Sequence, residues 1–303
     1  MSEKLKEIRK KIDALDDQIH DLLMERADLV TSVSEEKKKN NIPIVQPARE
    51  AMMIRRLLKR HRSPLPEAAI VGIWRELVGA VSLLQTGLKV SVSNSDNESF
   101  CWDMAKNYFG TVLPMAKATN ALLAVSGVRE NEVNFAVVPW PQDGEKTPWW
   151  PFLVNQKEDR MRIVCALPYG MPENQVGTMK NRALIVSKTD FAPSGEDHSF
   201  LALEIAPSVS RARIMDVFKS VDLKLLTLNT QNGAGAVGKN LHFIEVDDYV
   251  PEKDKQLERV EEKFSDAGAR CISLGGYPLP PVYKVAPKEK ESTPAPEKQK
   301  TGT

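Results

Sequence analysis

Apolar residues recur at three- and four-residue steps from the start of the chain: Leu5, Ile8, Ile12, Leu15, Ile19 and Leu22, then Leu29 and Val33. No proline or glycine interrupts them, and Glu, Lys and Leu favour the helical state, so the pattern predicts one helix over residues 3–39. At 1.5 Å per residue it is roughly 55 Å long. A small domain cannot cover that length, so one end must pack on something else, most simply a second copy of the chain. Pro43 and Pro47 each disfavour helix in the residue before them. Pro47 can open a second helix that runs to about His61 with Met53 and Leu57 inward. A third starts at Ser63 or Pro66 and ends at Gly87, with Ile70, Ile73, Trp74, Leu77, Val81 and Leu84 as its stripe. Residues 1–87 thus read as a three-helix unit.

The pattern then changes. "LKVSVSNS", "LLAVSG", "NFAVVPW" and "RIVCALPYG" have the length and composition of short strands, "SFCWDMAKNYFG" is a helix closed by Gly110, and "PWPQDGEKTPWWPF" is a packed loop. This makes residues 88–187 an α/β region. Residues 188–283 follow the order strand, helix, strand, strand, helix, strand, a βαββαβ α+β unit. Its "NGAGAVGKN" lacks the Lys-Ser/Thr of a phosphate loop and reads as a hairpin turn. Residues 284–303 carry almost no apolar side chains, and disorder is expected there. The fold class is multidomain: all-α, then α/β, then α+β.

Composition narrows the function classes. The 303-residue chain has a net charge of +1, so neither nucleic acid nor an anionic membrane is an implied partner. Three cysteines, Cys101, Cys165 and Cys271, are widely spaced and odd in number, which suits a reducing cytoplasm. The four histidines show no ligand spacing, so no metal or other cofactor is expected. "MSEKLKEIRKK" lacks the apolar core of a signal peptide, and no apolar run is long enough to span a bilayer.

The candidate chemistry lies where cations interrupt the apolar stripe. Arg26 and Lys37 fall on the seam of the first helix, eleven residues apart, and so share a face. A buried cation pairs or waits for an anion. Arg26 alone could simply snorkel, or pair with Glu25 or Asp28. Other polar positions converge, however: Arg49 and Glu50 open the second helix, and Gln85 sits on the seam of the third. Fixed cations in one pocket suit a compact dicarboxylate. Arg9 lies about 100° around the helix from Arg26, out of reach within one chain but within reach of a partner's pocket.

The run "LKEIRKKIDALDDQIHDLLMERADLVTSV", followed by Lys37, "IPIVQPARE" and "WRELVGAVSLLQ", resembles the all-helical class of chorismate mutase across residues 1–86. The resemblance implies an interlocked homodimer in which Arg9 of one subunit and Arg26 of the other hold the substrate carboxylates. Lys37 and Gln85 then hydrogen-bond the ether oxygen of the breaking bond, Glu50 binds the substrate hydroxyl, and Arg49 supports the carboxylate side. Gln46 and Val81, secondary contacts, stand where some members have Asp and Ser. The implied reaction, chorismate to prephenate, is pericyclic. It needs conformer selection and stabilisation of charge on the ether oxygen rather than a nucleophile or metal.

The order of units is similar to that of bifunctional chorismate mutase–prephenate dehydratases, with "LGGYP" ending an ACT-like unit. Against that family's pattern, the glycine-rich opening strand is absent, Asn181 stands at the catalytic Thr position beside a retained Arg182, and about 100 residues replace a two-lobed domain. Its phenylalanine-binding motifs are replaced by "PSVSRARIM" and "LNTQN". The expectation is a mutase with a degenerate dehydratase region. The rivals are a working bifunctional enzyme and a non-catalytic regulatory binding protein.

Overall fold

The computed structural model describes residues 2–39, 45–95, 98–154, 160–236 and 238–285, with side chains throughout except at 34, 35, 37, 38 and 83–86. The tail expected to be disordered falls outside the described residues from 286 onward. Three helices come first: α1 (Glu3–Lys39), α2 (Pro47–Arg60) and α3 (Glu67–Thr86). They match the periodicity. Next come β1 (Val90–Ser93), α4 (Phe100–Phe109), β2 (Met115–Ala118), α5 (Ala121–Arg129), β3 (Phe135–Pro139), β4 (Arg162–Leu167), β5 (Met171–Pro172) and β6 (Ala183–Ser187). The chain continues through β7 (Asp197–Ile205), α6 (Arg211–Ser220), β8 (Leu225–Gln231), β9 (Asn240–Val246), α7 (Lys255–Lys263), β10 (Arg270–Pro278) and β11 (Val282–Tyr283).

Two expectations are corrected. "LLAVSG" is helical, inside α5, and not a strand. Asn120 in extended conformation caps it by accepting the Leu123 N–H at 2.9 Å, and a short apolar run cannot by itself distinguish strand from buried helix. The buried face of α3 is also not its most apolar stripe. Val71, Arg75, Gly79 and Ser82 are buried, whereas Ile73 is 47% exposed. The cause is close packing on the end of α4: a Cβ at Gly79 would lie 1.9 Å from the Phe109 carbonyl oxygen.

Among the described residues, nine strands form one sheet in the order β2-β1-β3-β6-β4-β10-β7-β9-β8. β1 is parallel to β2 and β3, while β6 runs antiparallel to β3 and β4. The βαββαβ segment from β7 to β10 is realised as read, with β9 between β7 and β8 and β10 on the far side of β7. Its sheet joins the first through Gly275 of β10 opposite Ile163 of β4. Gly275 has φ +90, and a Cβ there would meet the Ile163 carbonyl oxygen at 2.2 Å, so this close approach requires glycine.

The core has three parts. α2, α3 and α4 pack on one face of β1, β3, β6 and β4, with Ile54, Val71, Tyr108 and Val92 in contact. On the opposite face α5 and the tryptophan-rich loop meet β3, β4, β6, β7 and β9, burying Trp149 and Trp150; the packed reading of that loop holds. α6 and α7 cover the remaining face of β7 and β9. The helical region is therefore fastened to the sheet. Arg55 of α2 donates to the carbonyls of Leu279 (2.8 Å) and Glu196 (3.2 Å), and Tyr169 donates to the Pro47 carbonyl at 3.3 Å.

Candidate active site

Residues 26–33 of α1, the start of α2 and the second half of α3 border a cavity of about 180 Å³ lined by Arg26, Val30, Val33, Gln46, Arg49, Glu50, Met53, Val78, Val81 and Ser82. Each position follows from local structure. Arg26 lies on the α1 seam between Leu22 and Val33. Pro47 opens α2, which puts Gln46, Arg49 and Glu50 in its first turn. Glu50 also closes that turn, its Oε1 accepting the Gln46 N–H at 3.4 Å. Val78, Val81 and Ser82 come from α3, with the Ser82 hydroxyl donating to the Val78 carbonyl at 2.8 Å.

Five of the eight residues singled out from the sequence, Arg26, Gln46, Arg49, Glu50 and Val81, line this one cavity. The backbones of Lys37 and Gln85 are helical, in α1 and α3, but their side chains fall outside the described residues. Arg9 does not line the cavity. It is 17 residues up α1 from Arg26, about 25 Å along the axis.

Glu50 is not simply an open acceptor. It is 7% exposed. Its Oε2 accepts Arg75 Nη1 at 2.5 Å and the Tyr108 hydroxyl at 3.2 Å. Arg75, 4% exposed, sends Nε and Nη2 to the Tyr108 carbonyl at 2.8 and 2.6 Å. Its guanidinium lies 3.9 Å from the Tyr108 ring centroid and 4.7 Å from that of Tyr169. Burial works against the guanidinium charge, but Glu50 and the two tyrosines outweigh it, and the Arg75 pKa is raised. Burial, with the Glu50 charge second, pushes the Tyr108 phenol up as well. Sequence reading missed Arg75. The available signal was a charged residue in register with Val71, Gly79 and Ser82.

The cavity presents two guanidinium groups and one carboxylate against Val30, Val33, Met53, Val78 and Val81. That suits a small anion with an apolar ring and a hydroxyl. Among the described residues there is no group of three or more His, Cys, Asp or Glu that could hold a metal, and no helix long and apolar enough to cross a membrane.

A second polar cluster sits where the two halves of the sheet meet. Arg182 lies 3.3 Å over the Trp140 ring and donates to the Tyr277 hydroxyl at 3.2 Å. Tyr277 donates to Glu245 Oε1 at 2.5 Å, and His198 Nδ1 lies 2.9 Å from the same hydroxyl. Burial acts to raise the Glu245 carboxyl, but hydrogen bonds from His198 and Tyr277 and the nearby Arg182 leave it lowered. Asn181 is exposed.

Residues 8–86 match the family described as chorismate mutase type II; the N-terminal region carries a domain of that family. A bifunctional chorismate mutase/prephenate dehydratase of Aquifex aeolicus is 31% identical over 141 residues, 45% of this chain and 39% of that protein. A chorismate mutase of Methanocaldococcus jannaschii is 48% identical over 64 residues, 20% of this chain and 65% of that protein. The chain thus spans about two-fifths of the length of the bifunctional relative. A prephenate dehydratase structure from Streptococcus mutans superposes with a TM-score of 0.44 and 17% identity, covering 65% of this chain and all of that one.

Proposed function

We propose that the protein is a chorismate mutase, active as an interlocked homodimer, that rearranges chorismate to prephenate. The observation that carries this reading is the cavity at the α1–α2–α3 junction, where Arg26, Arg49, Gln46, Glu50 and Val81 converge from three separate segments. Arg26, with Arg9 of the partner subunit, clamps the two carboxylates and selects the compact conformer in which the bond-forming carbons approach. As the C–O bond breaks, negative charge grows on the ether oxygen, and Lys37 and Gln85 stabilise it by hydrogen bonding. Glu50 Oε1 accepts the ring hydroxyl, and Arg49 supports the carboxylate side.

The remaining assignments belong to the same proposal. Residues 1–87 are the mutase unit, 88–187 a shortened dehydratase-like layer, and 188–283 an ACT-like unit. A cytoplasmic location fits three cysteines that are all free and buried.

The test follows chorismate by ultraviolet absorbance and assays prephenate directly. Wild-type protein is expected to turn chorismate over. Arg26→Ala and Lys37→Ala are each expected to lower kcat/KM by about 100-fold or more, with the oligomer unchanged in sedimentation. No consumption by the wild-type protein would instead favour a regulatory binding protein.

A further inference from the structure

We infer that Arg75 is a positioning residue for Glu50, and that through it the α/β layer, not the helical region alone, sets the geometry of the dicarboxylate cavity. The inference rests on the mutase reading of that cavity. Arg75 is absent from the cavity lining, so it acts through another group. That group is Glu50, whose Oε2 is filled by Arg75 and the Tyr108 hydroxyl. With Oε2 held by two donors and Oε1 accepting the Gln46 N–H, the carboxylate cannot rotate, and its direction at the cavity wall is fixed.

What holds Arg75 comes from outside the helical region. Two of its nitrogens donate to the Tyr108 carbonyl, in the last turn of α4. The C-terminal carbonyls of a helix lack intrahelical partners and carry the negative end of its dipole, so a guanidinium is favoured there. Tyr108 and Tyr169 flank the group, and the Tyr169 hydroxyl donates to the Pro47 carbonyl, at the start of the turn that carries Glu50. Glu76, the next residue of α3, accepts the Thr111 N–H at 3.1 Å. The first turn of α2 is thus fixed to α4 and to the segment after β4 at two independent points. On its other side Arg75 lines a separate cavity of about 340 Å³ with Val71, Met104, Tyr169 and Tyr283. The ion pair is therefore a partition between that space and the dicarboxylate cavity.

Packing alone does not explain such a pair. A buried ion pair replaced by apolar groups of equal volume is commonly as stable or more so. What it supplies that leucine cannot is a fixed carboxylate direction. A guanidinium fork does this in a way that an ammonium cannot.

The experiment uses full-length protein and a double-mutant cycle of Arg75→Lys and Glu50→Gln, reading kcat, KM for chorismate and Tm for each protein. Arg75→Lys is expected to raise KM about tenfold with kcat changed less than threefold, because it loosens a contact made before the chemical step. In the Glu50→Gln background the same change is expected to move KM less than twofold, because the group it positions has lost its charge. Tyr108→Phe keeps the backbone carbonyl and the ring, removes only the hydroxyl, and is expected to raise KM about threefold even if Arg75→Lys does not fold. Additive effects in the cycle, or a KM unmoved by both Arg75→Lys and Tyr108→Phe, would overturn the inference and leave Arg75 as a cap on α4. Turnover by the wild-type protein judges the proposed function separately. Amide hydrogen exchange reads the hold on Glu50 without turnover: Arg75→Lys is expected to speed exchange over residues 46–51 about tenfold. Unchanged exchange there in a folded Arg75→Lys protein would also overturn the inference.

Discussion

His242 sits on β9 with 3% of its surface exposed. Its Nδ1 lies 3.0 Å from the Thr230 hydroxyl, and its Nε2 is buried with no hydrogen-bond partner among the described residues. Burial, and secondly the charge of Arg211, lower its pKa to about 4. The unfolded chain titrates this imidazole near 6.5. Between about pH 6.5 and 4 the unfolded state therefore binds more protons than the folded one, and stability falls as the pH drops through that window. The loss should reach about 2 kcal/mol after allowance for partial screening, and the contribution is fully present above pH 6.5. Urea unfolding at a series of pH values is the measurement; His242→Leu should flatten the curve over that window. Glu245, whose carboxyl is held low, acts in the same direction but only from the ordinary carboxylate range downward, so the two groups separate on the pH axis. Nothing in the sequence marks His242, because the cost arises first from burial of the ring, with no partner for Nε2 among the described residues, and only the fold determines that. Arg75 was hidden for the converse reason: its partners Glu50 and Tyr108 lie 25 and 33 residues away.

Among elements, α1 carries the clearest expectation. Leu5, Ile8, Ile12, Leu15, Ile19, Leu22, Leu29 and Val33 are between 40 and 63% exposed in the single chain. A row of eight apolar side chains left in water is unusual for a monomer. Burying it would contribute on the order of 10 kcal/mol, and the proposed homodimer would supply a matching stripe from a second α1. The double substitution Leu15→Glu and Ile19→Glu should therefore convert a dimer to monomer in sedimentation equilibrium. On the proposed arrangement it should also lower chorismate turnover more than tenfold, because Arg9 would then no longer reach a neighbouring cavity. A dimer that persists, or full activity in a monomer, would remove the interlocked arrangement. α1, α2 and the βαββαβ order were legible because each has a strict period and clear punctuation by Pro, Gly or a capping residue. α5 was not, since five apolar residues fit a strand as well as a helix. The docking face of α3 was not either, since hydrophobicity points to Ile70, Ile73 and Leu77 whereas contact with α4 is made through Gly79 and Arg75. The cavity was legible to the extent that its ligands are charged residues on apolar faces; Val30, Met53 and Val78 look like ordinary core.

On the scale of the whole molecule, the joint between β4 and β10 joins the α/β layer and the βαββαβ segment in one nine-stranded sheet. A single glycine opposite Ile163 makes that joint, and no periodicity announces it. The joint bears on whether the second half of the chain can act on prephenate. Removing water and carbon dioxide from prephenate requires a donor to protonate the departing hydroxyl, in a site that also holds the carboxylates. Arg182, the residue after the expected position, is stacked on Trp140 and hydrogen-bonded to Tyr277, which donates in turn to Glu245. Asn181 beside it is exposed and has no acidic proton to give. In this arrangement these side chains are engaged with one another at the junction of the sheet. Prephenate is thus expected to accumulate one for one with the chorismate consumed at pH 8, where its spontaneous acid-driven conversion is slow. Phenylpyruvate should form no faster than in a protein-free control. Phenylpyruvate above that control, abolished by Arg182→Ala in a protein that keeps its Tm and its mutase rate, would show instead that the junction is a second active site and that Arg182 leaves Trp140 to reach substrate.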